Sequence, residues 1–115
     1  MTSKTLNMML VKSFPNLKEK YINEVCWQEG DDTGSHTVYG DVLTPYLINC
    51  ISINNVNEIK HVFNFLEEVL RHEENYSNEV VAYSVLENIA HIFKCNNSLK
   101  SYLGQYTEKL LDELS

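Results

Sequence analysis

A chain of 115 residues with 43% apolar and 22% charged side chains has the length and composition of a domain that buries its own core, which excludes a disordered or fibrous class. Sixteen acidic groups against nine basic ones leave a formal charge of −7 and disfavour nucleic acid and anionic lipid as partners. Cys26, Cys50 and Cys95 show no Cys-x-x-Cys spacing and match neither a disulfide framework nor a zinc knuckle, so a reducing cytoplasm is the expected location.

Apolar spacing is helical almost throughout. Thr2 or Ser3 is positioned to cap a first helix with Leu6, Met9, Leu10 and Phe14 on one face. Its apolar run is too short for a signal peptide and no small-residue cleavage site follows; no segment reaches the ~20 apolar residues of a membrane span. Pro15 opens a second helix that carries Leu17, Tyr21, Ile22 and Val25. From Gln28 to Gly40 the period vanishes and turn residues take over, which predicts one long loop, with His36-Thr37-Val38-Tyr39 as a minor strand candidate. A third helix is expected from Asp41 or Thr44, with Leu43, Leu47, Ile48 and Ile51 on its buried side, ending at Asn54-Asn55.

The fourth helix is the clearest: Val56, Ile59, Phe63, Leu66 and Leu70 step by three and four, while Lys60, Asn64, Glu67, Glu68 and Arg71 form a wet face in which Glu67 and Arg71 read as a solvated i, i+4 pair. Ser77 is the expected cap of a fifth helix with Glu79 in its first turn and Val81, Ala82, Val85, Leu86, Ile89, Ala90 and Phe93 on a broad buried face. Residues 95–98 end it, and Leu99, Tyr102, Leu103, Tyr106, Leu110, Leu111 and Leu114 line a last helical segment interrupted at Gly104. The expected fold class is therefore all-α: one domain over residues 1–115, a compact bundle of about five to six helices or of stacked helical hairpins.

No reaction is announced. The adjacent carboxylates Asp31-Asp32, Glu67-Glu68 and Glu73-Glu74 lack an apolar pocket to raise one of their pKa values, so no catalytic residue is expected. The four histidines show no His-Glu-x-x-His spacing, a mixed set such as Cys26, Asp31 and His36 would have to meet in space, and the glycines do not fit a phosphate cradle; no metal or cofactor is expected. Cys26, beside Trp27, is the thiol expected at the surface but has no basic neighbour to activate it, whereas Cys50 and Cys95 are expected to pack as small hydrophobes.

Charge placement is the stronger signal. No lysine or arginine occurs between Lys20 and Lys60, an interval that holds Glu24, Glu29, Asp31, Asp32, Asp41 and Glu58 together with Trp27 and Tyr39. A second such interval carries Glu73, Glu74, Glu79 and Glu87. Aromatic anchors within a polar rim are how protein interfaces are built, so Trp27, Glu29, Asp31, Asp32, Tyr39, Asp41, Glu73, Glu74 and Glu79 are the expected partner-binding residues, for a basic protein bound by a monomer. The competing class is a helical adaptor that holds a partner helix in a groove between the third and fifth helices.

The segments Phe14-Pro15-Asn16-Leu17-Lys18-Glu19-Lys20-Tyr21, Gly40-Asp41-Val42-Leu43, Glu87-Asn88-Ile89-Ala90 and Tyr102-Leu103-Gly104-Gln105-Tyr106-Thr107-Glu108-Lys109-Leu110-Leu111 resemble a family of small helical bacterial domains encoded beside polymorphic or contact-dependent toxins. The resemblance spans most of the chain. It implies an immunity protein that neutralises a cognate toxin, and it assigns no binding residue by position.

Overall fold

The apolar period is realised as helix. The computed structural model describes residues 1–114, and among them there is no strand. The α segments are α1 (Ser3–Ser13), α2 (Lys18–Val25), α3 (Ser35–Val38), α4 (Thr44–Ser52), α5 (Val56–Leu70), α6 (Asn75–Glu79), α7 (Glu87–Cys95) and α8 (Gln105–Glu113). A π turn, Tyr39–Leu43, runs α3 into α4, and a π stretch, Val80–Leu86, runs α6 into α7, so the eight segments form six rods, two of which span residues 35–52 and 75–95. Tighter 3-10 turns at Pro15–Leu17, Gly30–Asp32 and Asn97–Tyr102 make connections. One apolar cluster, with Leu6, Phe14, Tyr39, Phe63, Leu66 and Ile89 at its centre, is shared by all the rods.

Several ends follow from local chemistry. The Thr2 side chain accepts the Thr5 N–H at 3.1 Å and caps α1. Asn54 takes the left-handed conformation that asparagine tolerates (φ 55°), and the Asn55 side chain then accepts the Glu58 N–H at 3.3 Å to start α5. Elsewhere the sequence reading is corrected. Residues 36–39 are helix, and the rod expected from Asp41 or Thr44 begins at Ser35. Ser77 is not a cap: the helix starts at Asn75, and the buried Ser77 hydroxyl donates to the Glu74 carbonyl at 3.0 Å, which leaves Glu79 at the end of α6. Cys95 is exposed, unlike Cys50.

Glu67 is the largest departure. Arg71 meets Glu68 instead, at 3.5 Å, and the Glu67 carboxylate crosses to α8, where it accepts the Tyr106 N–H at 3.0 Å, the Thr107 N–H at 2.9 Å and the Thr107 hydroxyl at 2.8 Å. The first N–H groups of a helix have no intrahelical acceptor, and Gly104, at the cap position, has no side chain to supply one. A carboxylate from 40 positions away does so. A Cβ on Gly104 would stand 2.3 Å from the Glu67 Cδ, so only glycine admits this approach. Burial by itself would raise the Glu67 carboxyl pKa, but the bonds from Tyr106 and Thr107, with the Arg71 charge, outweigh it and hold the carboxyl below its ordinary value.

Gly104→Ala is expected to evict the carboxylate and destabilise the fold by about 1–2 kcal/mol, the cost of a lost cap, in urea unfolding. Gly40 provides the contrast: a Cβ there meets Ser84 at an ordinary 3.8 Å, so Gly40→Ala in a helical rod should be neutral or stabilising by up to about 1 kcal/mol. Because the folded Glu67 pKa is depressed, its contribution to stability is present above the ordinary carboxylate pKa and is lost as pH falls through the lowered value. Glu67→Gln should flatten that part of the acid limb of a stability–pH profile.

Candidate partner-binding face

Between α2 and α3 the chain lacks apolar spacing but not order. Buried Asn7 on α1 donates its amide to the Thr33 carbonyl at 2.7 Å and to the Asp31 carbonyl at 3.1 Å, and its oxygen accepts the buried Ser35 hydroxyl at 2.9 Å. Gly30 takes a positive φ of 61°, which lets the Gly30–Asp32 turn close on itself; the Thr33 hydroxyl donates to the Gly30 carbonyl at 2.7 Å and accepts the Glu29 N–H at 3.2 Å. Beyond it, the Ser35 N–H reaches Ser3 Oγ at 3.3 Å and the Tyr76 hydroxyl at 3.2 Å. Buried polar partners thus fix a segment that no hydrophobic period marks.

The Gly30–Asp32 turn, α3 and the Tyr39–Leu43 π turn all pack on α2, which brings the first acidic group onto contiguous elements. Glu29, Asp31, Asp32 and Asp41 are exposed. Asp31 is partly occupied: its Oδ1 accepts the Tyr21 hydroxyl at 2.7 Å, and burial, then this bond, pushes the phenol pKa up. Asp41 and Glu24 line one shallow cleft with Lys20, Asn23 and Val42, so a region free of cations along the sequence has one at its edge in space. Trp27, at the end of α2, is 72% exposed. Ile22, expected in the core with Tyr21 and Val25, is 47% exposed on the same helix. Its position at i+1 from a core tyrosine was the available sign, since neighbouring helical residues lie about 100° apart.

Tyr39 does not belong to this face. It is 0% exposed, its hydroxyl donates to the Leu6 carbonyl at 2.6 Å, and burial pushes its pKa up, so it anchors α1 and has no surface to offer a partner. The second acidic group is dispersed. Glu74 pairs with the Met1 amino group, Glu79 is exposed at the end of α6, and Glu73 faces a different cavity, beside α8.

The mixed donor set separates too. His36 Nδ1 lies 2.9 Å from Ser84 Oγ with its ring edge-on to Tyr76, Asp31 holds Tyr21, and Cys26 Sγ points to the Asn23 carbonyl at 3.6 Å. Among the described residues no three histidine, cysteine or acidic side chains gather as a metal site, and no helix is long and apolar enough to cross a membrane. As for the groove between the third and fifth expected helices, α4 and α7 pack directly on each other, and Leu47 on α4 and Ile89 on α7 are both fully buried.

The fold and this face define an all-α domain with an acidic, tryptophan-tipped edge held on a polar-bonded scaffold. The chain belongs to the family described as Domain of unknown function (DUF7674), whose model matches residues 8–114. No curated protein and no solved structure matches it.

Asn7→Ala removes three bonds at once and leaves the Thr33 carbonyl without its amide donor, while the Ser35 hydroxyl keeps only the Ser3 carbonyl, at 3.1 Å; a loss of about 2 kcal/mol in stability is expected, with amide hydrogen exchange accelerated most at residues 29–35.

Proposed function

We propose that this protein is an immunity-type inhibitor that binds a basic toxin domain, such as a nuclease, through the α2 edge and blocks access to its active site. It acts by binding, not by turnover. The observation that carries the reading is Trp27, 72% exposed just past α2 and two positions before Glu29, where a segment held by buried hydrogen bonds begins. Tryptophan is the residue type most enriched among interface anchors, and exposed carboxylates on neighbouring elements steer a cationic partner and form the rim. A nuclease must hold phosphates with lysines and arginines, which supplies the complementary charge. Ile22 extends the apolar contact, while Lys20, beside Glu24 and Asp41, sets the orientation by repelling one edge of a basic surface. The similarity to toxin-linked helical domains at residues 14–21 and 102–111 supports the same reading.

The test uses the polypeptide encoded in the reading frame immediately upstream, where an immunity protein's target is expected. Asp31 is left intact because it also holds Tyr21. Glu29→Lys with Asp32→Lys and Asp41→Lys should slow association by about one to two orders of magnitude at low salt, an effect that shrinks as salt rises. Trp27→Ala should leave association nearly unchanged and speed dissociation roughly tenfold or more. Association rates that ignore all three reversals would refute this placement of the contact.

A further inference from the structure

α8 is held along a narrow strip. Its buried residues are Thr107 and Leu111, two of nine, against seven of fifteen in α5. A cleft opens on each flank. One, of about 200 Å³, lies between Tyr106 and Leu110 of α8 and Leu70 at the end of α5; the other, of about 190 Å³, lies between Leu111, with Leu114 just past the helix, and Ala90 and Phe93 of α7. Space left unfilled on both sides forfeits the dispersion contacts that a packed interface supplies. The polar fastening sits at one end: the Glu67 carboxylate of α5 accepts the Tyr106 N–H, the Thr107 N–H and the Thr107 hydroxyl, so a single side chain holds the first turn. Before it, Leu103 and Gly104 are extended (ψ 136° and 177°) and form a two-residue link, outside any helix, from the Asn97–Tyr102 turn.

Few buried apolar contacts, one concentrated polar tie and an extended link describe an element that opens below the free energy of global unfolding. We propose that α8 is a cover that lifts as a unit about residues 103–104, with Glu67 as its latch, and that the open state presents an apolar strip, with Leu70, Ala90 and Phe93, that α8 shields when closed. Lifting and unwinding are one event. A helix of nine residues is marginal in water, and without the carboxylate its first N–H groups lose their acceptor, so the lifted segment gives up its backbone bonds as it leaves. The device does not depend on the toxin reading and needs no toxin to be tested.

The experiment is native-state amide hydrogen exchange of the full chain, followed by NMR at low urea concentrations. Amides 109–113 should share one opening equilibrium, at least about tenfold more populated than that of amides 62–66 in α5, with a urea dependence that is smaller than the global one but not zero, because lifting exposes surface. Glu67→Gln places an NH2 group against the α8 N–H groups and removes the charge that strengthens their bonds; it should raise the α8 opening about tenfold. Asn7→Ala supplies the converse. It weakens a part of the fold that stays intact when α8 lifts, so it should speed exchange in α5 and leave the α8 opening equilibrium unchanged. Exchange of α8 only through global unfolding, shown by Asn7→Ala raising both alike, would overturn the assignment. So would graded rates along α8 without urea dependence, which mark fraying, or an α8 opening indifferent to Glu67→Gln.

Discussion

The crossing of the rods 35–52 and 75–95 at their π segments is the constraint from which the remaining geometry follows. In each π segment a backbone N–H reaches the fifth residue back, Thr44 to Tyr39 and Glu87 to Ala82, so the carbonyls there are displaced from the ordinary helical register. The Thr44 hydroxyl bridges the two rods, 2.7 Å from the Ser84 carbonyl and 3.1 Å from the Tyr39 carbonyl, and the Asn88 amide gives Ser84 a second donor at 2.9 Å. Gly40, without a Cβ, faces Ser84. Apolar ridges alone allow helices to slide by one turn at modest cost, but buried carbonyls that need particular donors do not, so these bonds fix the register of the crossing. That register puts Tyr39 inward, where its hydroxyl holds the Leu6 carbonyl of α1, and α1 in turn presents Asn7 to the acidic segment. The α2 edge is positioned by a chain of polar contacts that begins in the core.

What the sequence makes legible is what repeats. α5 and α7 carry apolar residues at helical spacing over their full length, and Pro15 and Asn54 punctuate because each has a backbone restriction or freedom that acts locally. The rod at Ser35 is illegible for the opposite reason. Gly34 and Ser35 carry turn chemistry, His36 to Tyr39 are weak helix formers, and the buried positions include Ser35 and Thr44, which a hydrophobic pattern does not register. Glu67 is a case of distance: nothing within a few residues indicates that its acceptor oxygens serve a helix end 40 positions on. A sign existed at the other end of the contact, since Gly104-Gln105-Tyr106 offers α8 no capping side chain of its own, and buried helix ends do not stay uncapped.

Charge read along a chain and charge read in space differ here in a way that sharpens the proposed contact. The cation-free interval from residues 21 to 59 survives as an acidic edge, but Lys20 stands at the Asp41 and Glu24 end, Asp31 is engaged by Tyr21, and Tyr39 has left the surface. The free carboxylates nearest Trp27 in sequence are Glu29 and Asp32. Exposed charges act over about 8 Å at physiological salt, so on the proposed reading those two and Asp41 would set the approach of a basic surface that then docks around Trp27.

On the proposed reading, the stiffness of that edge bears on how tightly a partner would be held. A disordered acidic loop would have to be ordered on docking, at roughly 1–2 kcal/mol of backbone entropy for each residue fixed. Residues 29–35 have met that cost in folding: the Asn7 amide, the Thr33 hydroxyl and the paired Ser3 and Tyr76 hydroxyls hold the segment before any partner arrives. Binding energy from the exposed indole is then available for affinity instead of being consumed in ordering the loop. The same polar bonds that hide this segment from a hydrophobic reading of the sequence therefore make it suited to recognition: a surface built on apolar period would bury the groups it must present, whereas one built on hydrogen bonds to α1 leaves Trp27 and its carboxylates facing water.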